Sequence, residues 1–331
     1  AHVDGLGDVN GDGFDDIGYT TWASLDETSE VRVHLGGPEL SEEPIWTGEQ
    51  GPFHEKVHGV GDVDGDGYDD VLLTARPNAR LHRGGPDGLQ EASWAFGPEG
   101  YGGELATSGG RAGDLNGDGL MDVVLGDAWA RAPGSDVLDG AVYVWLGRPQ
   151  GLAATPDITL FGDDQSLGHT LAAGGDLDGD GYDDLLVTDN MDGRGDDLYV
   201  YSGGPEGLHP DRRWGVALPL GVEVEGRPVA VGVGDTDGDG RGEVLMNVER
   251  DGDGVVELWT RATSGLTGPV WTHRWIGRHR ILVAPGGDLD GDGLQDVLYG
   301  EDDAVFGADL FALTGPFQEP LEDHDPYASL H

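Results

Sequence analysis

Cysteine is absent from these 331 residues, so no disulfide framework exists and the redox compartment cannot be read from thiols. Basic residues are scarce: 18 Lys and Arg stand against 64 Asp and Glu, a formal net charge of -46. Such a surface repels nucleic acid and anionic membranes, and the partners it admits are neutral, cationic or bridged by a metal ion. No apolar run is long enough to span a bilayer, and neither a leader peptide nor a lipidation motif is visible, so direct membrane insertion is not expected.

Glycine and aspartate are abundant instead, and they recur in register. The 61 glycines fall at fixed positions beside apolar segments, which argues against disorder. Six loops read Asp-x-(Asp/Asn)-Gly-Asp-Gly-x-x-(Asp/Glu), and they begin at Asp8, Asp62, Asp114, Asp176, Asp235 and Asp288. Their starts lie 54, 52, 62, 59 and 53 residues apart, too far for a tandem loop array and right for one small sheet per repeat.

Each position of the loop has a chemical reason. Oxygen-bearing side chains fall at the first, third, fifth and ninth positions, the seventh offers a backbone carbonyl, and the glycines let the chain curl around one ion. The ligand sets are Asp8, Asn10, Asp12, Phe14 and Asp16 in the first copy, and Asp62, Asp64, Asp66, Tyr68 and Asp70 in the second. The third has Asp114, Asn116, Asp118, Leu120 and Asp122, and the fourth Asp176, Asp178, Asp180, Tyr182 and Asp184. Asp235, Asp237, Asp239, Arg241 and Glu243 form the fifth, and Asp288, Asp290, Asp292, Leu294 and Asp296 the sixth. Hard oxygens without nitrogen or sulfur point to calcium rather than zinc, and magnesium prefers a stricter octahedron. Asn10 and Asn116 trade a carboxylate for an amide, so those two sites should bind more weakly. The fifth copy, with Gly242 before Glu243, departs furthest from the pattern. Six calcium ions would return only about +12 of charge.

An EF-hand needs Glu at position 12 and a following helix. Position 12 here is Tyr19, Leu73, Leu125, Val187, Met246 and Tyr299, each inside a Val, Leu and Ile-rich segment, so the loop feeds a strand. A similar Asp251-Gly252-Asp253-Gly254 run lacks the terminal carboxylate and reads as a turn between two strands.

Four strand signals accompany each loop. The first strand ends in Gly7, Gly61, Gly113, Gly175, Gly234 or Gly287 before the opening Asp, and its small residues suit a crowded axis. The second is a near-continuous apolar run, which implies burial on both faces. The third alternates and leads into Gly-Gly-Pro-type turns such as 84–89 and 203–208, with a looser form at 147–152. The fourth carries Trp46, Trp94, Trp214 and Trp271, whose equivalent positions favour packing over a sugar-stacking surface. Radial packing of such sheets into a β-propeller buries both faces without long open edges.

At these residues the chain resembles the FG-GAP repeats that build the N-terminal propeller of integrin α subunits and many bacterial surface proteins. Leu167-Gly168 and Tyr101-Gly102 occupy roughly the FG position and Leu125-Gly126-Asp127-Ala128 the GAP position. The resemblance implies an all-β propeller of four-stranded antiparallel blades, with a calcium loop between the first two strands of each blade. The loops count six blades, whereas integrin propellers have seven, so the choice between six and seven stays open. The blades are drawn at 1–50, 51–98, 99–160, 161–218, 219–276 and 277–320, in one domain with a tail at 321–331.

Strand alternation puts the acidic loops and the Gly-Gly-Pro turns on one rim and the loops of variable length, 126–140 and 188–197, on the other. Recognition usually lives in variable loops on a rigid scaffold. Trp22 and Trp129 are the aromatic candidates for that face, and Arg194 and Asp196 belong to an Arg-Gly-Asp tripeptide of the kind integrins recognise. No nucleophile and base pairing or zinc pattern stands out among the eleven His, and His34 and His82 share a third-strand position that suits a scaffold role. The expectation is therefore an extracellular or cell-surface calcium-binding propeller that takes a protein or glycan ligand, its leader already removed. A carbohydrate-active lyase or hydrolase on the same scaffold, and a structural subunit that self-assembles through its termini, are the alternatives.

Overall fold

Each acidic loop in the computed structural model turns the chain from a glycine-rich strand into an apolar one, and six such hairpins seed six separate sheets. The structure describes residues 2–23, 28–38, 43–48, 56–75, 77–97, 105, 108–162, 167–188, 197–210, 213–217, 230–250, 253–262, 265–275, 280–288, 291–303 and 307–314. All regular elements among them are strands.

The first sheet holds β1 (Val3–Gly7), β2 (Asp16–Ala23), β3 (Thr28–His34) and β4 (Trp46–Thr47), and the second β5 (Lys56–Gly61), β6 (Asp70–Ala75), β7 (Asn78–His82) and β8 (Ala92–Phe96). The third comprises β9 (Ser108–Gly113), β10 (Asp122–Asp127), β11 (Ala141–Trp145) and β12 (Ile158–Phe161), and the fourth β13 (Thr170–Gly175), β14 (Asp184–Thr188), β15 (Asp197–Tyr201) and β16 (Arg213–Ala217). The fifth has β17 (Ala230–Gly234), β18 (Glu243–Arg250), β19 (Asp253–Ala262) and β20 (Gly265–Trp275). Three described strands make up the sixth: β21 (Arg280–Gly287), β22 (Asp296–Asp303) and β23 (Gly307–Leu313). Every sheet is antiparallel with its strands in sequence order. The first strands of successive sheets pack together, β1 on β5, β5 on β9, β9 on β13, β13 on β17 and β17 on β21. The result is a six-bladed propeller with β1, β5, β9, β13, β17 and β21 innermost.

Why these strands crowd the axis is visible at Gly59 and Gly232. A Cβ on Gly59 would collide with the Gly5 carbonyl oxygen, and one on Gly232 with that of Gly174. The second strands β6, β10 and β14 are buried from end to end, so their apolar runs reflect neighbours on both faces. A register shift precedes the last glycine of every inner strand, where Gly7, for example, has φ 74°. This bulge sets the exit angle into the loop.

Outer-strand tryptophans knit neighbouring blades. Trp94 meets Trp145 edge to face at 5.2 Å and donates its indole N–H to the Ala153 carbonyl at 2.8 Å. Trp46 meets His82 at 5.1 Å, and Trp271 meets Tyr299 at 5.1 Å. The Trp214 side chain lies outside the described residues. Arg250 pairs with Asp253 across β18 and β19, and Asp251 and Gly252, read as a turn, lie outside the described residues.

Five blade boundaries are fastened alike on the loop rim. The amide at the eighth loop position donates to the carbonyl of the first position in the preceding loop: Asp69 to Asp8 at 3.1 Å, Met121 to Asp62 at 3.0 Å, Asp183 to Asp114 at 3.0 Å, Gly242 to Asp176 at 2.8 Å and Gln295 to Asp235 at 2.9 Å. The seventh-position side chain covers the fourth-position glycine of that same loop, Tyr68 over Gly11, Leu120 over Gly65, Tyr182 over Gly117, Arg241 over Gly179 and Leu294 over Gly238. The Gly-Gly-Pro-type turns add a third tie, with Gly85 donating to Val9, Arg148 to Val63 and Gly204 to Leu115, each at 2.9 Å. These turns therefore share the rim of the acidic loops.

The boundary between the sixth and first blades differs. Phe14, at the seventh position, is 44 % exposed, and no described residue lies within 4 Å of a Cβ built on Gly291 or on Gly5. Among the described residues no backbone bond joins Asp15 to Asp288.

Candidate metal centre

The loops hold their shape by turning carboxylates onto their own amides. In the second copy Gly65 and Gly67 donate to the two oxygens of Asp62 at 2.7 and 2.9 Å, Asp66 donates to Asp64 Oδ1 at 3.2 Å, and Tyr68 donates to Asp66 Oδ1 at 3.1 Å. The same pair of glycine amides caps Asp8, Asp114, Asp176, Asp235 and Asp288. Six copies thus share one local geometry, because glycines at the fourth and sixth positions permit the left-handed turns it needs.

This curl brings the first, third and fifth side chains together. One carboxylate oxygen from each of Asp62, Asp64 and Asp66 lies within 4.8 Å of the others, as do those of Asp176, Asp178 and Asp180, and of Asp235, Asp237 and Asp239. Oxygen donors alone suit a hard divalent cation. In the first and third copies the amides of Asn10 and Asn116 donate to Asp12 and Asp118 at 3.0 Å, so the third position there spends a donor on its neighbour. Asp288 and Asp292 of the sixth copy are exposed loop residues, and Asp290 lies outside the described residues. The seventh-position residues, Phe14 apart, present their side chains to the preceding loop, as described above.

The ninth position is drawn inward instead. Asp16, Asp70, Asp122, Asp184 and Asp296 are fully buried, and none joins the three-carboxylate clusters. Asp70 accepts the Val63 and Gly84 amides at 3.1 and 3.0 Å, one on each oxygen. Asp16, Asp122 and Asp184 repeat this arrangement with Val9 and Gly36, Leu115 and Gly147, and Leu177 and Gly203. Glu243 takes the same place in the fifth copy, where one oxygen accepts the Thr236 amide and hydroxyl at 2.8 Å and the other accepts the Thr260 hydroxyl at 3.2 Å. Burial pushes Asp70, Asp122, Asp184 and Glu243 up to about 7, against the pull of these hydrogen bonds. Asp16, Asp70, Asp122 and Asp184 thus tie their loops to the turn after the third strand, and Glu243 ties its loop to Thr260 within β19.

Three functional residues left no motif in the sequence. Arg83 Nη1 lies 2.7 Å from Asp64 Oδ2, an ion pair outside hydrogen-bond alignment that puts a fixed cation beside the second cluster. The eighth-position carboxylates Asp69 and Asp183 accept the amides of Asp8 and Asp114 at 2.8 Å. Burial raises both, while those bonds and the Arg111 guanidinium between them act the other way. Arg111 also lines an axial cavity of about 310 Å³ with Asp62, Asp69 and inner-strand glycines.

On the opposite rim, the 126–140 loop is held by its own acids. Trp129 and Ala132 donate their amides to Asp127 and Asp139 at 3.0 and 2.8 Å, and Arg131 reaches the Asp136 carbonyl at 3.0 Å. Trp129 is 41 % exposed and Val137 47 %. Trp22 does not sit in a loop: it lies within β2 and pairs with Ser29, because the Thr20-Thr21-Trp22 run favours extending the hairpin. Arg194 and Asp196 lie outside the described residues.

Residues 62–125 match the family described as FG-GAP-like repeat. The chain is similar to integrin alpha-4 of Xenopus laevis, 31% identical over 159 residues that cover 45% of this chain and 15% of that protein. It is 30% identical to integrin alpha pat-2 of Caenorhabditis briggsae over 245 residues, 63% of this chain and 19% of that protein. Human integrin alpha-7 is 34% identical over 133 residues, 40% of this chain and 10% of that protein. The matched region thus spans less than a fifth of each relative. Among the described residues no helix is long and apolar enough to cross a membrane.

Proposed function

We propose that this FG-GAP-like propeller is an extracellular or cell-surface module that binds a protein ligand, with calcium in its acidic loops as a structural ion. The observation that carries the reading is the convergence of three carboxylates in the same loop of three different blades, in a chain similar to part of integrin alpha chains. Packed carboxylates with so few basic neighbours repel one another unless a cation sits between them. Asp62, Asp64 and Asp66, with the equivalent residues of the other copies, would hold that cation, which supplies charge neutralisation and no chemistry on a substrate. Because the loops are tied to the preceding blade by their eighth and seventh positions, ordering a loop orders a boundary.

The ligand face in this reading is the opposite rim, and the 126–140 loop supports it. Its backbone is preorganised by Asp127 and Asp139, so presenting Trp129 and Val137 to a partner costs little ordering entropy. A glycan is the other ligand class that an exposed indole serves. The test is surface plasmon resonance against extracellular-matrix proteins together with a glycan array, in millimolar calcium, with wild type and Trp129→Ala. Saturable protein binding lost in the variant supports the reading. Binding to glycans alone reassigns the ligand class, and turnover of an acidic polysaccharide defeats the binding-module reading in favour of an enzyme.

A further inference from the structure

Away from the acidic loops, β1 and β5 bring a second kind of donor set together. His2, Asp4 and His58 each offer one ligand atom, and the three atoms lie within 4.8 Å of one another. We propose that they form a binding site for one divalent transition-metal ion of the zinc class, which pins the first blade to the second.

The site is built from two strands by their register. His2 continues β1, donating its amide to the Thr20 hydroxyl at 2.9 Å while its carbonyl accepts the Thr20 amide at 2.8 Å. Two residues on, Asp4 points to the same side of the strand, and His58 comes from the middle of the adjoining β5. The imidazole rings of His2 and His58 are 5.1 Å apart between centroids. His58 Nδ1 lies 3.8 Å from Asp4 Oδ2, too far for a hydrogen bond and a spacing that two ligands of one ion take up.

What surrounds the three residues orients them as ligands. His58 Nε2 faces the buried Thr74 hydroxyl at 3.3 Å, which leaves Nδ1 as the free lone pair, an assignment made from the partners. His2 uses its ring to bond the Val57 backbone, and its Nε2 is buried with no hydrogen-bond partner. The Asp4 carboxylate accepts the amides of Gly59 and Gly5. Metal-binding imidazoles commonly have their second nitrogen held in this way, and the hold raises their basicity as ligands. Two nitrogens and one carboxylate select zinc or its neighbours over calcium and magnesium, and three protein ligands leave one coordination position for water.

The experiment is a calorimetric titration with Zn2+ of protein already saturated with millimolar calcium, so that the acidic loops do not compete. One equivalent should bind, and Co2+ in its place should give visible absorption bands of a nitrogen-ligated, low-coordinate ion. His2→Asn and His58→Asn should each weaken Zn2+ binding by more than about 100-fold, and Thr74→Val by about 10-fold to 100-fold. His2 stands at the edge of the sheet, so His2→Asn tests the site even if the buried His58→Asn variant fails to fold; circular dichroism in calcium checks both. Absence of saturable Zn2+ binding in wild type, or unchanged stoichiometry and affinity in folded His2→Asn, overturns the proposal.

Discussion

Between the first and second blades, Tyr68 lies over Gly11, the Asp69 amide donates to Asp8, and the Asp69 carboxylate accepts the Asp8 amide in return. Between the sixth and first blades, the equivalent Phe14 is 44 % exposed and no described residue covers Gly291. Yet the loops on either side of the two boundaries have the same internal bonds: Gly291 and Gly293 cap Asp288 just as Gly11 and Gly13 cap Asp8. Loop shape is therefore a local property, set by glycine and aspartate spacing. Blade fastening is not, because the seventh and eighth residues stabilise only when a preceding loop is there to receive them.

Calcium removal should produce the largest effect and bears on that division. Each site held at a hundredfold above its Kd contributes about 2.7 kcal/mol to stability, so excess EDTA should lower Tm sharply. In hydrogen exchange the Asp69, Asp183 and Gln295 amides should lose protection, while Asp15 starts unprotected and stays so. A melting temperature unmoved by EDTA would mean that the clusters are not structural sites.

The second expectation concerns pH in the metal-free state. Asp70, Asp122, Asp184 and Glu243 are raised by burial to about 7 in the folded chain, above the unfolded values near 4. Their protonated forms thus favour folding: the stabilisation is full below about pH 4 and is lost as pH rises through 7. Calcium-free protein should melt higher at pH 5 than at pH 8, and saturating calcium should shrink or reverse that difference. Equal calcium-free melting temperatures at the two values would contradict the burial of these groups.

Side-chain truncation at the two boundaries makes a smaller and sharper comparison. Tyr68→Ala should cost about 2 kcal/mol by losing partly buried ring surface, whereas Phe14→Ala should stay within about 0.5 kcal/mol. Similar costs from denaturant melts would show that the two boundaries are equivalent in solution. The smallest effect is expected at Arg83. Removing its guanidinium from Asp64 by Arg83→Ser takes away a competing cation worth about 1 kcal/mol, so the second loop should bind calcium roughly fivefold tighter. Terbium luminescence excited through Tyr68 would read this out, and weaker binding in the variant would recast Arg83 as a support for the ligand cluster.

Much of the fold was legible because its signals are short-range. The six loops, the glycine before each, the apolar second strands and the Gly-Gly-Pro turns all lie within one repeat, so period and composition reveal them. One carboxylate oxygen from each of Asp62, Asp64 and Asp66 lies within 4.8 Å of the others, and so do those of Asp176, Asp178 and Asp180 and of Asp235, Asp237 and Asp239, positions that stand close together in the chain. The ninth-position Asp70, read as a fourth donor on spacing alone, also accepts the amides of Val63 and Gly84, a tie to the turn after the third strand that the loop's own spacing does not display. Trp22 was read into a loop because strand ends are set by cross-strand pairing, which a single segment does not display.

By itself, the sequence determined the repeat, the donor chemistry of the loops and the strongly acidic surface, all consequences of residue type at fixed short spacing. Tertiary structure alone decided which loop meets which. The Arg83 ion pair with Asp64 joins residues 19 positions apart, the Asp69 and Asp183 bridges cross whole blades, and the pairing of His2 and Asp4 with His58 joins two inner strands. Such contacts depend on how sheets pack around an axis, and the packing of one sheet on the next leaves no period in the chain.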